Sequence, residues 1–134
     1  MILHGYWRSG ASYRVRIGLG LKGLAYQTAA LDLRKGEQKA PAFLAINPFG
    51  AIPATEDDGM VLFESLAITL YLAKQYSDGN LGPKDLEEDA QMMQGALFAA
   101  TEIEGNALKI SRIAADGRLD RDAGQGEAAA AARL

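Results

Sequence analysis

Hydroxyl side chains stand at two places where this sequence passes from a short apolar run into a possible helix. Ser9 and Ser12 precede Arg14-Val15-Arg16-Ile17-Gly18-Leu19-Gly20-Leu21, and both are good helix N-caps. Ser65 follows Glu64 at the start of an apolar run that reaches Tyr76. A hydroxyl and unpaired N–H groups at a helix start suit an anion such as a carboxylate. The competing account is that each serine caps its helix and Glu64 is an ordinary first-turn acid. Between them, Lys35-Gly36-Glu37-Gln38-Lys39 offers a cation at Lys39 and two amide donors at Gln38; a solvated charge run explains it equally well. Other chemistries are excluded. The chain has no cysteine, hence no disulfide framework, thiolate metal site or cysteine nucleophile. His4 is the single histidine, so a histidine metal cluster is ruled out and a structural role is expected for it. No phosphate loop, Ser-His-Asp set or paired-carboxylate signature is present, and no metal is expected.

Composition narrows the setting. The sequence has 134 residues, 49% hydrophobic and 23% charged, near the average for globular domains. That length predicts one domain, or one with part of a second. Fourteen basic against 17 acidic side chains leave a net charge of −3, so nucleic acid is not an expected partner. No apolar run approaches the ~18 residues of a membrane span, and no leader is read in Met1-Ile2-Leu3-His4-Gly5-Tyr6. The expected location is cytoplasmic, which the lack of cysteine fits.

These residues must be positioned by a series of short elements. Ile2–Tyr6 reads as a strand, with a weaker one inside residues 25–33. Pro41–Ile46 reads as a short helix with proline in a tolerated first-turn position. Ala51–Thr55 and Met60–Phe63 flank Asp57-Asp58-Gly59, a hairpin signal. Glu64–Tyr76 reads as a helix burying Ala67, Ile68, Tyr71, Leu72 and Gln75. Residues 14–21 are ambiguous. Apolar side chains fall on every second position, as in a strand, and each glycine costs a helix about 1 kcal/mol. Yet the serine caps favour a helix, which would bury Val15, Gly18, Leu19 and the stem of Lys22. Ser77-Asp78-Gly79-Asn80-Leu81-Gly82-Pro83 reads as a linker. Asp85 with Glu88 three positions on is a capping-box-like start. It opens a long helix to about Ile113, with a stripe through Leu86, Ala90, Met93, Leu97, Ala100, Ile103, Ala107 and Ile110. That stripe either packs on the first domain or is shared with a second subunit. Residues 116–134 lack periodicity, and a mobile or loosely docked tail is expected.

Three segments carry a family resemblance. Tyr6-Trp7-Arg8-Ser9-Gly10-Ala11-Ser12-Tyr13-Arg14-Val15-Arg16-Ile17 resembles the N-terminus of zeta-class glutathione transferases, the maleylacetoacetate isomerases. Asn47-Pro48-Phe49-Gly50-Ala51-Ile52-Pro53-Ala54-Thr55-Glu56-Asp57 is similar to the cis-proline segment of the family, nearest the phi class. Phe63-Glu64-Ser65-Leu66-Ala67-Ile68-Thr69-Leu70-Tyr71-Leu72 is similar to its Glu/Gln-Ser helix start. The resemblance covers residues 1 to about 113. It implies an α/β architecture: a thioredoxin-like domain over residues 1–76 with a four-stranded mixed sheet, a linker over 77–83, and a shortened all-helical region over 84–134. It makes residues 14–21 helical.

The resemblance also implies a function. Glutathione would lie across the first domain as co-substrate. Ser9 matches the thiol-contacting serine, with Ser12 and Tyr6 as rivals. The backbone of Ile52, beside cis-Pro53, would pair with the cysteinyl unit as an added strand does. Glu64 would take the γ-glutamyl ammonium, Ser65 its carboxylate, and Gln38 and Lys39 the glycyl carboxylate. The implied protein is a cytoplasmic homodimeric glutathione transferase of the detoxification type, joining the thiolate to a hydrophobic electrophile. Apart from the resemblance, Trp7 is expected to be a partly buried pocket wall, and Arg8, Arg14 and Arg16 either raise the positive potential near Ser9 or are surface charges. The zeta pattern Ser-Ser-Cys is replaced by Ser9-Gly10-Ala11; the cysteine linked to isomerase chemistry is absent, which leaves simple thiolate addition. The alternatives are a non-catalytic glutathione-binding or interaction module, with Met92, Met93, Leu97 and Phe98 lacking their usual cover, and, more weakly, a glutathione-dependent reductase or peroxidase.

Overall fold

The computed structural model describes residues 1–76 and 81–115. The tail expected over 116–134 and part of the expected linker lie outside them. The chain divides into two compact units, Met1–Pro83 and Lys84–Leu134.

The first unit runs β1 (Ile2–Gly5), α1 (Gly10–Leu21), β2 (Gln27–Ala30), two 3-10 turns (Leu33–Lys35 and Glu37–Lys39), α2 (Pro41–Leu44), β3 (Ala54–Asp57), β4 (Met60–Phe63) and α3 (Ser65–Gln75). Its four-stranded sheet has the order β2-β1-β3-β4. β1 and β2 are parallel, while β3 is antiparallel to both β1 and β4. This is the expected thioredoxin-like mixed sheet.

The ambiguous segment is a helix, for a reason visible in its burial. Ser12, Val15 and Leu19 are the buried positions of α1, at helical three- and four-residue spacing. The misleading alternation comes from Ile17 and Leu21, which face outward at 46% and 62% exposure. Gly18 suits the contact side: a Cβ there would meet Thr69 Cγ2 of α3 at 3.4 Å. Leu3 of β1 joins Val15, Leu19, Ile68 and Leu72 in one core between the sheet, α1 and α3. Each such side chain contributes roughly 1.5–3 kcal/mol on burial. Lys22 Nζ donates to the carbonyls of Ala73 and Tyr76, 3.4 and 3.1 Å away, tying the end of α1 to that of α3.

Two expectations about packing are corrected. The buried positions of α3 are Ser65, Ile68 and Leu72. Ala67 and Gln75 are exposed and Tyr71 half-buried. Ser65, Ile68 and Leu72 lie at three- and four-residue spacing on one face of α3, and Ala67 falls on the other side of the helix. Trp7, expected to be partly buried, is 71% exposed, since its loop projects beyond the end of β1.

The β3–β4 turn is formed by Asp58 and Gly59 with φ of 48° and 82°, both in the left-handed region that two-residue hairpin turns use. Immediately before the turn, Asp57 accepts from Tyr71 Oη at 2.9 Å and from Tyr76 Oη at 2.5 Å. Its hydrogen bond, helped by burial, pushes the Tyr76 phenol up to about 12. Burial first and Asp57 second raise Tyr71 as well.

The second unit is helical throughout its described length: α4 (Leu86–Phe98), a π-type segment (Ala99–Glu104) and α5 (Gly105–Ala115). Asp85 Oδ1 accepts from Glu88 N at 2.8 Å. Glu88 reaches back to Lys84 N rather than to the cap residue itself, one position off a reciprocal capping box. The expected stripe assumed unbroken α geometry; the π segment shifts its phase. No residue of α4 is buried, and Leu86, Met93, Leu97, Phe98 and Ile103 are exposed.

Candidate functional site

Strand direction and register gather the chemistry at one end of the sheet. His4 is opposite Ala54 across β1 and β3, and Ala54 is opposite Phe63 across β3 and β4. The chain leaving β1 toward Ser9, the Ile52-Pro53 step entering β3, and Glu64-Ser65 leaving β4 therefore share that end. So does the segment after β2 that leads to Gln38 and Lys39, because β2 is parallel to β1.

Ser9 is the N-cap of α1, with φ −75° and ψ 120°. Its Oγ accepts from Ser12 N at 3.1 Å. Its hydroxyl proton is not used in that bond and can be donated outward. A helix start also leaves the N–H groups of Gly10 and Ala11 without acceptors within the helix. The rival hydroxyls are sequestered. Ser12 is fully buried and its Oγ accepts from Tyr6 N at 3.4 Å. The Tyr6 hydroxyl is buried with no partner. Ser9, half-buried, is the one of the three that a ligand can reach.

Pro53 follows a cis peptide bond with Ile52. The loop before it is held by Asn47, which is 1% exposed. Asn47 Nδ2 donates to Ala51 O at 2.7 Å, and its Oδ1 accepts from Phe49 N at 3.1 Å. The Phe49 ring packs edge-on to Phe63, centroids 5.4 Å apart, fastening the loop to the end of β4. Lys39 Nζ donates to Phe49 O at 3.0 Å. Gly50, at φ 59°, is approached so closely that a Cβ would lie 2.8 Å from Gln38 O. The Gln38-Lys39 turn is thus seated directly on the proline loop. Gln38 Oε1 is buried without a partner.

Glu64 takes φ 70° and is exposed, a backbone conformation costing a non-glycine residue about 1–3 kcal/mol. Ser65 behind it is 6% exposed, and its Oγ accepts from Arg14 Nη1 at 2.6 Å. Arg14 fills the oxygen's acceptor role, so the serine proton is directed elsewhere. The other two arginines both meet Trp7, Arg8 from the β1–α1 loop and Arg16 from within α1. Arg16 Nη2 donates to Trp7 O at 3.2 Å, and the Arg8 guanidinium lies 5.5 Å from the Trp7 ring centroid. His4 Nε2 is 2.6 Å from Glu56 Oε1 and its ring is 5.8 Å from that of Phe43, a packed position on the α2 side. Among the described residues no His, Cys, Asp or Glu group could hold a metal ion, and no helix is long and apolar enough to cross a membrane.

Sequence reasoning missed the positioning residues. Asn47 and Gly50 sat inside a quoted motif without a role of their own; the Asn47-Pro48 pair, a turn signal, was the available hint. Arg14 was weighed only for its charge. Its bond to a residue 51 positions away leaves no local signature.

Comparison with known proteins places the chain in a family. Residues 1–74 match the family model for the glutathione S-transferase N-terminal domain. A zeta-class glutathione S-transferase of Euphorbia esula is 42% identical over 102 residues, 76% of this chain and 45% of that protein. A maleylacetoacetate isomerase of Rhizobium meliloti is 40% identical over 128 residues, 96% of this chain and 58% of the relative. The crystal structure of a maleylacetoacetate isomerase from Methylobacterium extorquens AM1, with bound malonate and glutathione, superposes with a TM-score of 0.70 at 36% identity. It covers 98% of this chain and 63% of that one. The chain thus spans about half the length of the curated relatives it matches. With the cis-proline loop, the serine-capped α1 and the Glu64-Ser65 helix start at one end of a thioredoxin-like sheet, the chain belongs to the glutathione S-transferase family.

Proposed function

We propose that this protein is a glutathione transferase that activates the thiol of glutathione at Ser9. The carrying observation is that Ser9 alone, among the three nearby hydroxyls, is both reachable and placed at a helix start. Glutathione lies extended past Ile52 and Pro53. Its cysteinyl backbone pairs with that of Ile52 as an added strand does. The γ-glutamyl carboxylate takes the Ser65 hydroxyl proton and N–H at the start of α3, and Glu64 takes the ammonium. Lys39, with the Gln38 amide nitrogen, faces the glycyl carboxylate.

A free thiol titrates near ~8.5 and reacts as its thiolate. Holding it ionised at neutral pH requires a downward shift, each unit of which is worth about 1.4 kcal/mol. The Ser9 O–H donates to the sulfur, and the positive end of α1 stabilises the charge. With an aryl halide, sulfur attacks the halogen-bearing carbon. The C–S bond forms, the C–halogen bond breaks, halide leaves and the thiol proton goes to solvent. The relatives named maleylacetoacetate isomerase point to glutathione-dependent isomerisation as the neighbouring chemistry. This chain carries Gly10-Ala11 where the zeta pattern has Ser-Cys, which favours addition. A homodimer in the cytoplasm is part of the same proposal.

The test pairs retention on immobilised glutathione with turnover of 1-chloro-2,4-dinitrobenzene. Retention with turnover that falls steeply in Ser9→Ala is the expected result. Retention without turnover assigns the chain to the alternative reading, a non-catalytic glutathione-binding module. No retention overturns both.

A further inference from the structure

His4 and Glu56 form a pair to which the glutathione chemistry gives no task. They lie diagonally on neighbouring strands, since His4 is opposite Ala54 and Glu56 opposite Ile2. Their side chains meet with Nε2 2.6 Å from Oε1. The imidazole side chain is 10% exposed and that of Glu56 38%. We propose that this pair is a proton-controlled support behind the proline loop: protonation of His4 holds the loop more firmly, and the cradle then takes glutathione more tightly. This rests on glutathione binding as proposed above and adds a control by pH.

The support reaches the loop by two short routes. Along the backbone, the β3 residue opposite His4 is Ala54, which directly follows Pro53. Through side chains, the His4 ring packs on the buried ring of Phe43, centroids 5.8 Å apart. The Phe43 carbonyl accepts from Asn47 N at 2.8 Å, and Asn47 clamps Ala51 O and Phe49 N. A neutral imidazole meets Glu56 as a dipole. An imidazolium adds a full positive charge, and beside a mostly buried ring that attraction is weakly screened. The firmer pair fixes the ring on which Phe43 rests, so the ligand has less loop motion to quench on binding. His4 is the single histidine, and histidine is the side chain whose charge ordinarily changes between about pH 5 and 8. The surrounding elements bring no competing charge. β2, α2 and β4 carry no titratable side chain. On the turn before α2, Glu37 accepts from Asp32 N and Lys39 donates to Phe49 O. Asp57, next to Glu56, points to the opposite face, where Tyr71 and Tyr76 hold it.

The probe is S-methylglutathione, whose sulfur carries no proton, so its own charges stay fixed between about pH 5.5 and 8. Calorimetric titration is expected to give a dissociation constant roughly fivefold lower at the acid end of that interval than at the alkaline end. His4→Gln keeps a donor for Glu56 but takes up no proton, and Glu56→Gln removes the counter-charge; both flatten the response. Coupling is reciprocal, so saturating S-methylglutathione shifts the titration of the His4 ring signal in NMR spectra to higher pH. A purely structural histidine shows no such shift. Circular dichroism checks the folding of the variants, and the NMR titration needs only the native chain. Binding that is independent of pH or tighter at the alkaline end, a response that persists in His4→Gln, or a His4 titration unmoved by the ligand overturns the proposal while glutathione recognition stands. Absence of binding at every pH overturns both.

Discussion

Arg14 on the second turn of α1 donates to the hydroxyl of Ser65, the first residue of α3, Nη1 to Oγ 2.6 Å. Residues 51 positions apart thereby tie together the two helices that back the sheet. Because the guanidinium can only donate, Ser65 is left as a donor toward a ligand carboxylate. Arg14→Met is expected to raise KM for glutathione roughly tenfold or more, a hydrogen bond to a charged group being worth about 1.5–3 kcal/mol. kcat should change little. Initial-rate kinetics with varied glutathione check this, and an unchanged KM with depressed kcat would contradict it.

Ser9→Ala removes both the cap acceptor and the proposed sulfur donor. Loss of the cap costs about 1 kcal/mol of stability, read as a lowered unfolding midpoint. If the hydroxyl also holds the thiolate, the pH profile of kcat/KM moves to higher pH, because the bound thiol becomes harder to ionise. Ser9→Thr keeps a hydroxyl and should restore the cap and part of the rate. A purely structural serine would shift the midpoint and leave the pH profile in place.

Asn47 is a buried clamp on the proline loop. Asn47→Ala leaves Ala51 O and Phe49 N without their partner, which costs about 1–3 kcal/mol. Reduced stability together with weaker retention on immobilised glutathione is the expected pair of results. Gly50→Ala attacks the same joint from outside, placing a methyl 2.7 Å from Lys39 Nζ at a φ of 59°. It should weaken glutathione binding even if Lys39 swings clear, because the Gln38 carbonyl it also meets is backbone.

How much of this was legible beforehand differs from residue to residue. The Asp58-Gly59 hairpin and the Asp85 cap were readable, since each depends on a few neighbouring residues. The cis peptide at Pro53 followed from resemblance to the family, as did the choice of helix for residues 14–21. The apolar alternation there was real and still misleading, because Ile17 and Leu21 remain exposed. Ser65, not Ala67, shares the inward face with Ile68 and Leu72, and an apolar-period argument passes over it because a serine is not apolar; its bond to Arg14 satisfies the buried hydroxyl. Trp7, expected as a partly buried pocket wall, stands exposed on the loop after β1.

Alkaline pH should reveal the Asp57 cluster. The Tyr76 phenol rises to about 12 in the folded chain, against about 10 when unfolded. The folded state therefore favours the neutral phenol. That stabilisation is complete below about pH 10 and is lost as pH climbs toward 12. Thermal unfolding of the native chain should weaken across this interval, more than that of Tyr76→Phe, which has no proton to lose there. Equal slopes for the two proteins would show that the Asp57–Tyr76 bond is not maintained in solution.

Every residue assigned to the glutathione cradle lies between positions 9 and 65, within the unit that ends at Pro83. If glutathione binds as proposed, all the residues that hold it are encoded in one contiguous stretch of the gene, and a cut after Pro83 would keep them together.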